Sequence, residues 1–134
     1  MDGSVLGRAL CRLGGIVEFN LDEGNQGSFC VVSVCGDVDI YTAPLLDACL
    51  QRNVSTGNAD LAIDLSGCSY FDSEGIKVLI RALHALGKRG KISICGARGS
   101  VRRVFEISGL TTIFALRGSV EDLMTSADSS SASS

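Results

Sequence analysis

Apolar residues along this chain change their spacing from segment to segment. From Ile16 to Leu21 they alternate with polar residues, which fits a strand, and Phe29 to Cys35 is a nearly continuous apolar run closed by Gly36-Asp37. A run of that kind is expected of a strand buried on both faces. The polar stretch Asp22 to Ser28 reads as a turn, so these two strands can pair antiparallel at one edge of a sheet. Thr42 then offers an N-cap and Pro44 falls in a first turn. Leu45, Leu46, Cys49 and Leu50 follow at helical spacing, predicting a helix of about ten residues.

Leu61 to Leu65 is a short apolar strand closed by Ser66-Gly67. From Glu74 to Leu86, Ile76, Leu79, Ile80, Leu83 and Leu86 recur every three or four residues, while Lys77, Arg81, His84 and Lys88 take the other side. That pattern is an amphipathic helix, ended near Gly87 and Gly90. Lys91 to Cys95 reads as a strand, Ser100 to Ile107 as a helix stopped by Ser108-Gly109, and Thr112 to Leu116 as a last strand. Ser119, with Asp122 three residues on, starts a short final helix. Strands alternating with helices predict right-handed crossovers and one α/β domain with a mostly parallel sheet of four to five strands. The expected organisation is a flexible extension over 1–14, the domain over 15–125 and a disordered Ser-rich tail over 126–134.

Length and charge narrow the function. A chain of 134 residues has room for one ordinary domain. Twelve Lys and Arg against fifteen Asp and Glu give a formal charge of -3, which argues against a general nucleic-acid or anionic-membrane binder. No apolar run is long enough to span a bilayer, and Asp2, Arg8 and Arg12 spoil a signal peptide, so the expected compartment is the cytoplasm. In that reducing setting the six cysteines are not expected to form a disulfide framework, and Cys30, Cys35 and Cys49 read as small core residues. No C-x-x-C pair occurs and His84 is the one histidine, so no metal site is expected.

Two loops at the carboxyl ends of strands are the candidate sites, Gly36 to Thr42 and Ser66 to Gly75, because ligands and partners of open α/β sheets meet that end. In the second, Asp72 and Ser73 stand at the mouth of a helix. Its N–H groups and positive dipole end tolerate a negative group, although a plain N-cap explains the same residues. A Ser/His/Asp hydrolase is excluded by spacing: His84 is three turns from Ser73, roughly 16 Å at 1.5 Å rise per residue. Nucleotide binding has only Gly-rich turns behind it, with no G-x-x-x-x-G-K-[ST] sequence. A redox switch is a further possibility, since Cys68 follows the third strand and Cys95 ends the fourth, placing both thiols at one end of the sheet.

The run Asp64-Leu65-Ser66-Gly67-Cys68-Ser69-Tyr70-Phe71-Asp72-Ser73-Glu74-Gly75-Ile76-Lys77-Val78-Leu79 resembles the signature of the STAS domain, in particular that of bacterial anti-sigma factor antagonists. Gly36-Asp37-Val38-Asp39 and Val101 to Leu110 match in the same order, so the resemblance covers about residues 16 to 125. It implies a module that is not itself an enzyme and needs no cofactor. The unphosphorylated antagonist binds an anti-sigma factor, often a histidine-kinase-like serine kinase, and so frees a sigma factor; a metal-dependent phosphatase reverses the phosphorylation. By position the phosphorylated residue would be Ser73, with Asp37, Asp39, Asp72, Glu74, Gly75 and Lys77 beside it on the partner-binding surface. Glu74 stands where these antagonists often carry Ser or Thr, and a carboxylate there suits a helix N-terminus but repels a phosphate. The alternatives are a redox-responsive or constitutive binding module.

Overall fold

The computed structural model describes residues 19–57 and 60–124. Within them the chain runs β1 (Asn20–Gln26), β2 (Phe29–Val38), α1 (Ala43–Ser55), β3 (Asp60–Phe71), α2 (Ser73–Leu86), β4 (Lys91–Cys95), α3 (Gly99–Ile107) and β5 (Ala115–Arg117). A last helical stretch, α4, occupies 120–124, and single 3-10 turns sit at Gly87–Arg89 and Leu110–Thr112. The sheet order is β1-β2-β3-β4-β5, with β1 antiparallel to β2 and the other neighbours parallel. The expected extension over 1–14 and tail over 126–134 lie outside the described residues.

This order dictates the layering. Each crossover from β2 to β5 moves one strand in the same direction, so right-handed connections must place α1, α2 and α3 on one face. Leu46, Leu50 and Val54 of α1, Val78, Leu79, Ala82 and Leu86 of α2, and Val101 and Phe105 of α3 accordingly share one core with Val32, Val34, Ile63, Leu65 and Ile94 of the sheet. The other face carries a smaller core, in which Val120 and Leu123 of α4 cover Phe29, Val31, Ala62 and Cys95. The apolar run of β2 follows from this: Phe29 and Val31 serve one core while Cys30, Val32 and Val34 serve the other.

Several boundaries differ from expectation. The polar stretch read as a turn from Asp22 is strand: β1 continues to Gln26, and only Gly27-Ser28 turn the chain. Its alternation is masked because polar side chains take even a position that faces α1. Glu23 pairs with Arg52 of α1 and accepts from Asn53 Nδ2 at 3.1 Å. Asn53 is buried yet satisfied, taking the Cys30 thiol proton at 3.0 Å and donating to the Cys49 carbonyl at 2.8 Å. β2 likewise runs through Gly36-Asp37 to Val38, and β5 begins at Ala115 because Leu110–Thr112 form a 3-10 turn.

The larger difference is β3, which does not end at Ser66-Gly67 but continues to Phe71. Beside β2 its register runs Ser33↔Asp64, Cys35↔Gly67 and Asp37↔Tyr70, so β3 spends three residues for each two of its neighbour. Each extra residue is a bulge. The two bulges turn a period of two into a period of three, and Leu65, Cys68 and Phe71 all enter the core under the three helices. An alternation test stops at Leu65 for this reason.

Burial raises the Glu23 pKa, but hydrogen bonds from Arg52, Asn53 and Cys49 with the Arg52 charge outweigh it, and the net shift is downward. A depressed carboxyl contributes stability that is fully present above its unfolded pKa and is lost as pH falls through its folded one. Glu23→Gln should therefore lower the urea midpoint at pH 7, with the gap to the parent protein closing as the pH is taken to about 3. A gap that stays constant over that range would show that the pair contributes through packing alone.

Candidate functional site

The loop after β2 is organised by one carboxylate. Asp39 Oδ1 accepts from the backbone N–H of Tyr41 at 2.9 Å and of Thr42 at 3.1 Å, a local turn typical of aspartate. Thr42 occupies the expected cap position of α1, but its hydroxyl does not cap the helix. It donates to the Asp37 carbonyl at 2.7 Å and accepts from the Asp39 N–H at 3.0 Å. The carboxylate of Asp39 is thus committed to the backbone, and the loop it holds presents Ile40 and Tyr41 to solvent at 63% and 84% exposure.

The loop after β3 is built against it. Parallel register sets Asp37 abreast of Tyr70 and Val38 abreast of Phe71, and the Asp72 N–H reaches the Val38 carbonyl at 3.4 Å. Asp72 is the N-cap of α2: extended in backbone, it accepts the Glu74 N–H on Oδ1 at 2.9 Å. Its other oxygen accepts the Tyr70 hydroxyl at 3.3 Å, and the Asp72 charge, with burial a lesser cause, raises the Tyr70 pKa. Ser69 Oγ lies 3.4 Å from Asp37 Oδ1, joining the two loops. Ser73 follows as the first residue of α2 and is exposed. Glu74 is paired with Lys77 at 3.3 Å.

The expected residues Asp37, Asp39, Asp72, Ser73, Glu74, Gly75 and Lys77 therefore share one end of the sheet, at the tips of β2 and β3 and the start of α2. Gly75 acts from inside: a Cβ there would lie 2.6 Å from the Phe71 ring, which is itself stacked on Phe105 at 5.4 Å. Sequence reasoning missed the apolar part of the surface. Ile40, Tyr41, Leu45 and Tyr70 are large and exposed here, as the anchor residues of protein interfaces are. The available signal was Tyr41 and Tyr70 themselves, the two tyrosines of an aromatic-poor chain, both in the candidate loops. A cleft of about 450 Å³, lined by Asp22, Glu23, Asp64, Ser66 and Glu121 among others, includes none of these site residues.

The alternative of a redox pair between Cys68 and Cys95 does not fit the geometry. Cys95 is abreast of Asp64, whereas Cys68 is four residues further along β3, a separation of roughly 10 Å once the bulge is allowed for. A disulfide needs Cα atoms within about 7 Å. The two thiols also serve opposite faces of the sheet, and both are free. Burial raises their pKa values, that of Cys95 to about 12. Cys35, expected as a core thiol, is half-buried and disulfide-bonded.

This chain belongs to the STAS domain family, whose pattern matches residues 21–123. An anti-sigma-B factor antagonist of Staphylococcus aureus is 34% identical over 95 residues, which cover 70% of this chain and 88% of that protein. The crystal structure of an anti-sigma factor antagonist from Mycobacterium paratuberculosis superimposes with a TM-score of 0.75 at 31% identity, covering 81% of this chain and 93% of the other. The unphosphorylated form of the antagonist SpoIIAA shares the fold, with a TM-score of 0.69 at 18% identity over 84% of this chain and 97% of that one.

Two outcomes test the local account. Alanine in place of a helical glycine ordinarily stabilises, yet Gly75→Ala should lose about 1–3 kcal/mol in urea denaturation, because the Phe71 ring is wedged between the helix and Phe105. A gain in stability would mean the ring moves aside freely. Cys30, Cys49, Cys68 and Cys95 should resist iodoacetamide at pH 8 and react in denaturant, since thiols raised by burial are almost wholly protonated there. Fast native alkylation of Cys68 or Cys95, located by peptide mapping, would contradict the buried assignment.

Proposed function

We propose that this protein is an anti-sigma factor antagonist that docks an anti-sigma factor on the Ser73 end of its sheet and is switched off by phosphorylation of Ser73. The carrying observation is the juxtaposition of an exposed serine at the first position of α2 with four exposed apolar side chains, Ile40, Tyr41, Leu45 and Tyr70. The apolar group offers the contact area, and the serine offers a handle for disrupting it. The relatives described above are named for antagonism of anti-sigma factors, which supports the same reading.

The switch follows from charge and volume. A serine kinase would transfer the γ-phosphoryl group of ATP to Ser73 Oγ, releasing ADP and the hydroxyl proton. Close to two negative charges then arrive among Asp37, Asp39, Asp72 and Glu74. The fold accommodates them because the modified side chain is exposed at the positive end of a helix of 14 residues. Docking does not, because the same charge and bulk occupy the partner's place. A phosphatase acting on phosphoserine would restore the surface.

A constitutive binding module is the second reading, favoured by Glu74, whose carboxylate adjoins the serine. The two readings separate in one experiment. Ser73→Ala should block labelling by the cognate kinase and keep binding, while Ser73→Glu should bind at least about tenfold more weakly, roughly 1.4 kcal/mol, with an unchanged circular dichroism spectrum. If Ser73→Glu binds as tightly as the parent and the kinase leaves Ser73 unlabelled, the constitutive reading replaces the switch.

A further inference from the structure

We propose that Lys77 is the built-in counter-cation of phosphoserine 73, and that phosphorylation transfers its ammonium group from Glu74 to the phosphate. The inference rests on the reading of Ser73 as the modified residue and adds how this chain accommodates the modification beside a glutamate.

The geometry supplies both halves of the exchange. In the unmodified protein Lys77 Nζ lies 3.3 Å from Glu74 Oε2, an i,i+3 pair in the first turns of α2. Ser73 precedes Lys77 by four residues in the same helix, so the two side chains are neighbours on its surface, and the acid-before-lysine order is the favourable one. Their partner is cheap to leave: the Lys77 side chain is 63% exposed and that of Glu74 34%, and pairs this open contribute little. A phosphate with close to two charges and three acceptor oxygens outcompetes a single carboxylate for the same ammonium.

Among the cations at this end of the sheet, Arg98 precedes α3 and Arg102 of α3 is paired with Glu106 at 2.9 Å. The end of β2 contributes Asp37 and Asp39, and the end of β3 contributes Tyr70 and Asp72. One turn beyond Lys77, Arg81 is held by Asp47 of α1 at 3.3 Å. Of these charged groups Lys77 is the cation set at the spacing that reaches residue 73. Before modification Lys77 offsets the charge of Glu74; after it the ammonium faces the phosphate, and the released Glu74 adds its charge to the acidic rim.

The test installs phosphoserine at position 73 of the full chain during translation and follows the phosphate by phosphorus NMR across its second ionisation. With Lys77 as counter-cation, Lys77→Gln should raise that pKa by about 0.3 unit or more, as expected of an exposed ion pair. Lys77→Arg should restore the parent value, and Glu74→Gln should lower it by removing the competitor and its charge. An unchanged pKa in Lys77→Gln, or a failure of Lys77→Arg to restore it, overturns the proposal. Because no kinase takes part, that failure is distinct from a failure of Ser73 to be labelled, which would count against the proposed function instead.

Discussion

The contact between the Phe71 ring and the α2 backbone at Gly75 sets the position of everything at the working end of this molecule. Phe71 is the last residue of β3, and its ring is held between the helix and Phe105 of α3, which in turn meets Phe114 edge-on at 6.3 Å. Because a side chain at 75 has no room, the helix can sit low against the sheet. Asp72 is then the one residue between strand and helix, and Ser73 emerges at the rim with no flexible linker behind it. A residue so placed is held by a packed core while its own side chain remains in water.

The carboxylates around Ser73 are structural before they are electrostatic. Asp39 closes its own loop, Asp72 caps α2 and steadies Tyr70, and Asp37 meets Ser69. Each oxygen so engaged fixes a backbone segment that carries an exposed apolar side chain. The acidic character of the rim therefore comes from the turn chemistry needed to bring two loops together, and any regulatory use of that charge draws on groups already required for shape.

The layered α/β plan was legible because the helical periods in 45–50 and 76–86 and the buried run at 29–35 are strong local signals. The placing of the candidate residues at one end of the sheet was legible through the Asp72-Ser73 pair at a helix start and through its family-like setting. What escaped has specific causes. The bulges of β3 destroy the alternation that would mark residues 66–71 as strand, and the polar edge strand β1 has the composition of a turn. The Cys68 and Cys95 pairing failed because, with each bulge, position in sequence no longer gives position along the sheet or the face that a residue serves. Ile40 and Tyr41 lie in a loop recognised for its carboxylates, and Leu45 follows the helical spacing of buried residues, so their exposure is visible only in the folded chain.

The sheet is also unequal from one side to the other. β3 has 12 residues, paired with β2 from Leu61 to Phe71 and with β4 from Asp60 to Asp64, while β5 has three and closes the edge, with α4 beyond it in the chain. Cooperative units of local opening follow such differences in bonded length and burial. The residues of the Ser73 rim come from β2, β3, α1 and α2, on the long-stranded side, and α3 supports them from behind through Phe105 against the Phe71 ring. Fluctuations that release β5 and α4 leave the pairing of β2 with β3 in place, so the geometry of the Ser73 rim is separated from the breathing of the carboxyl-terminal edge.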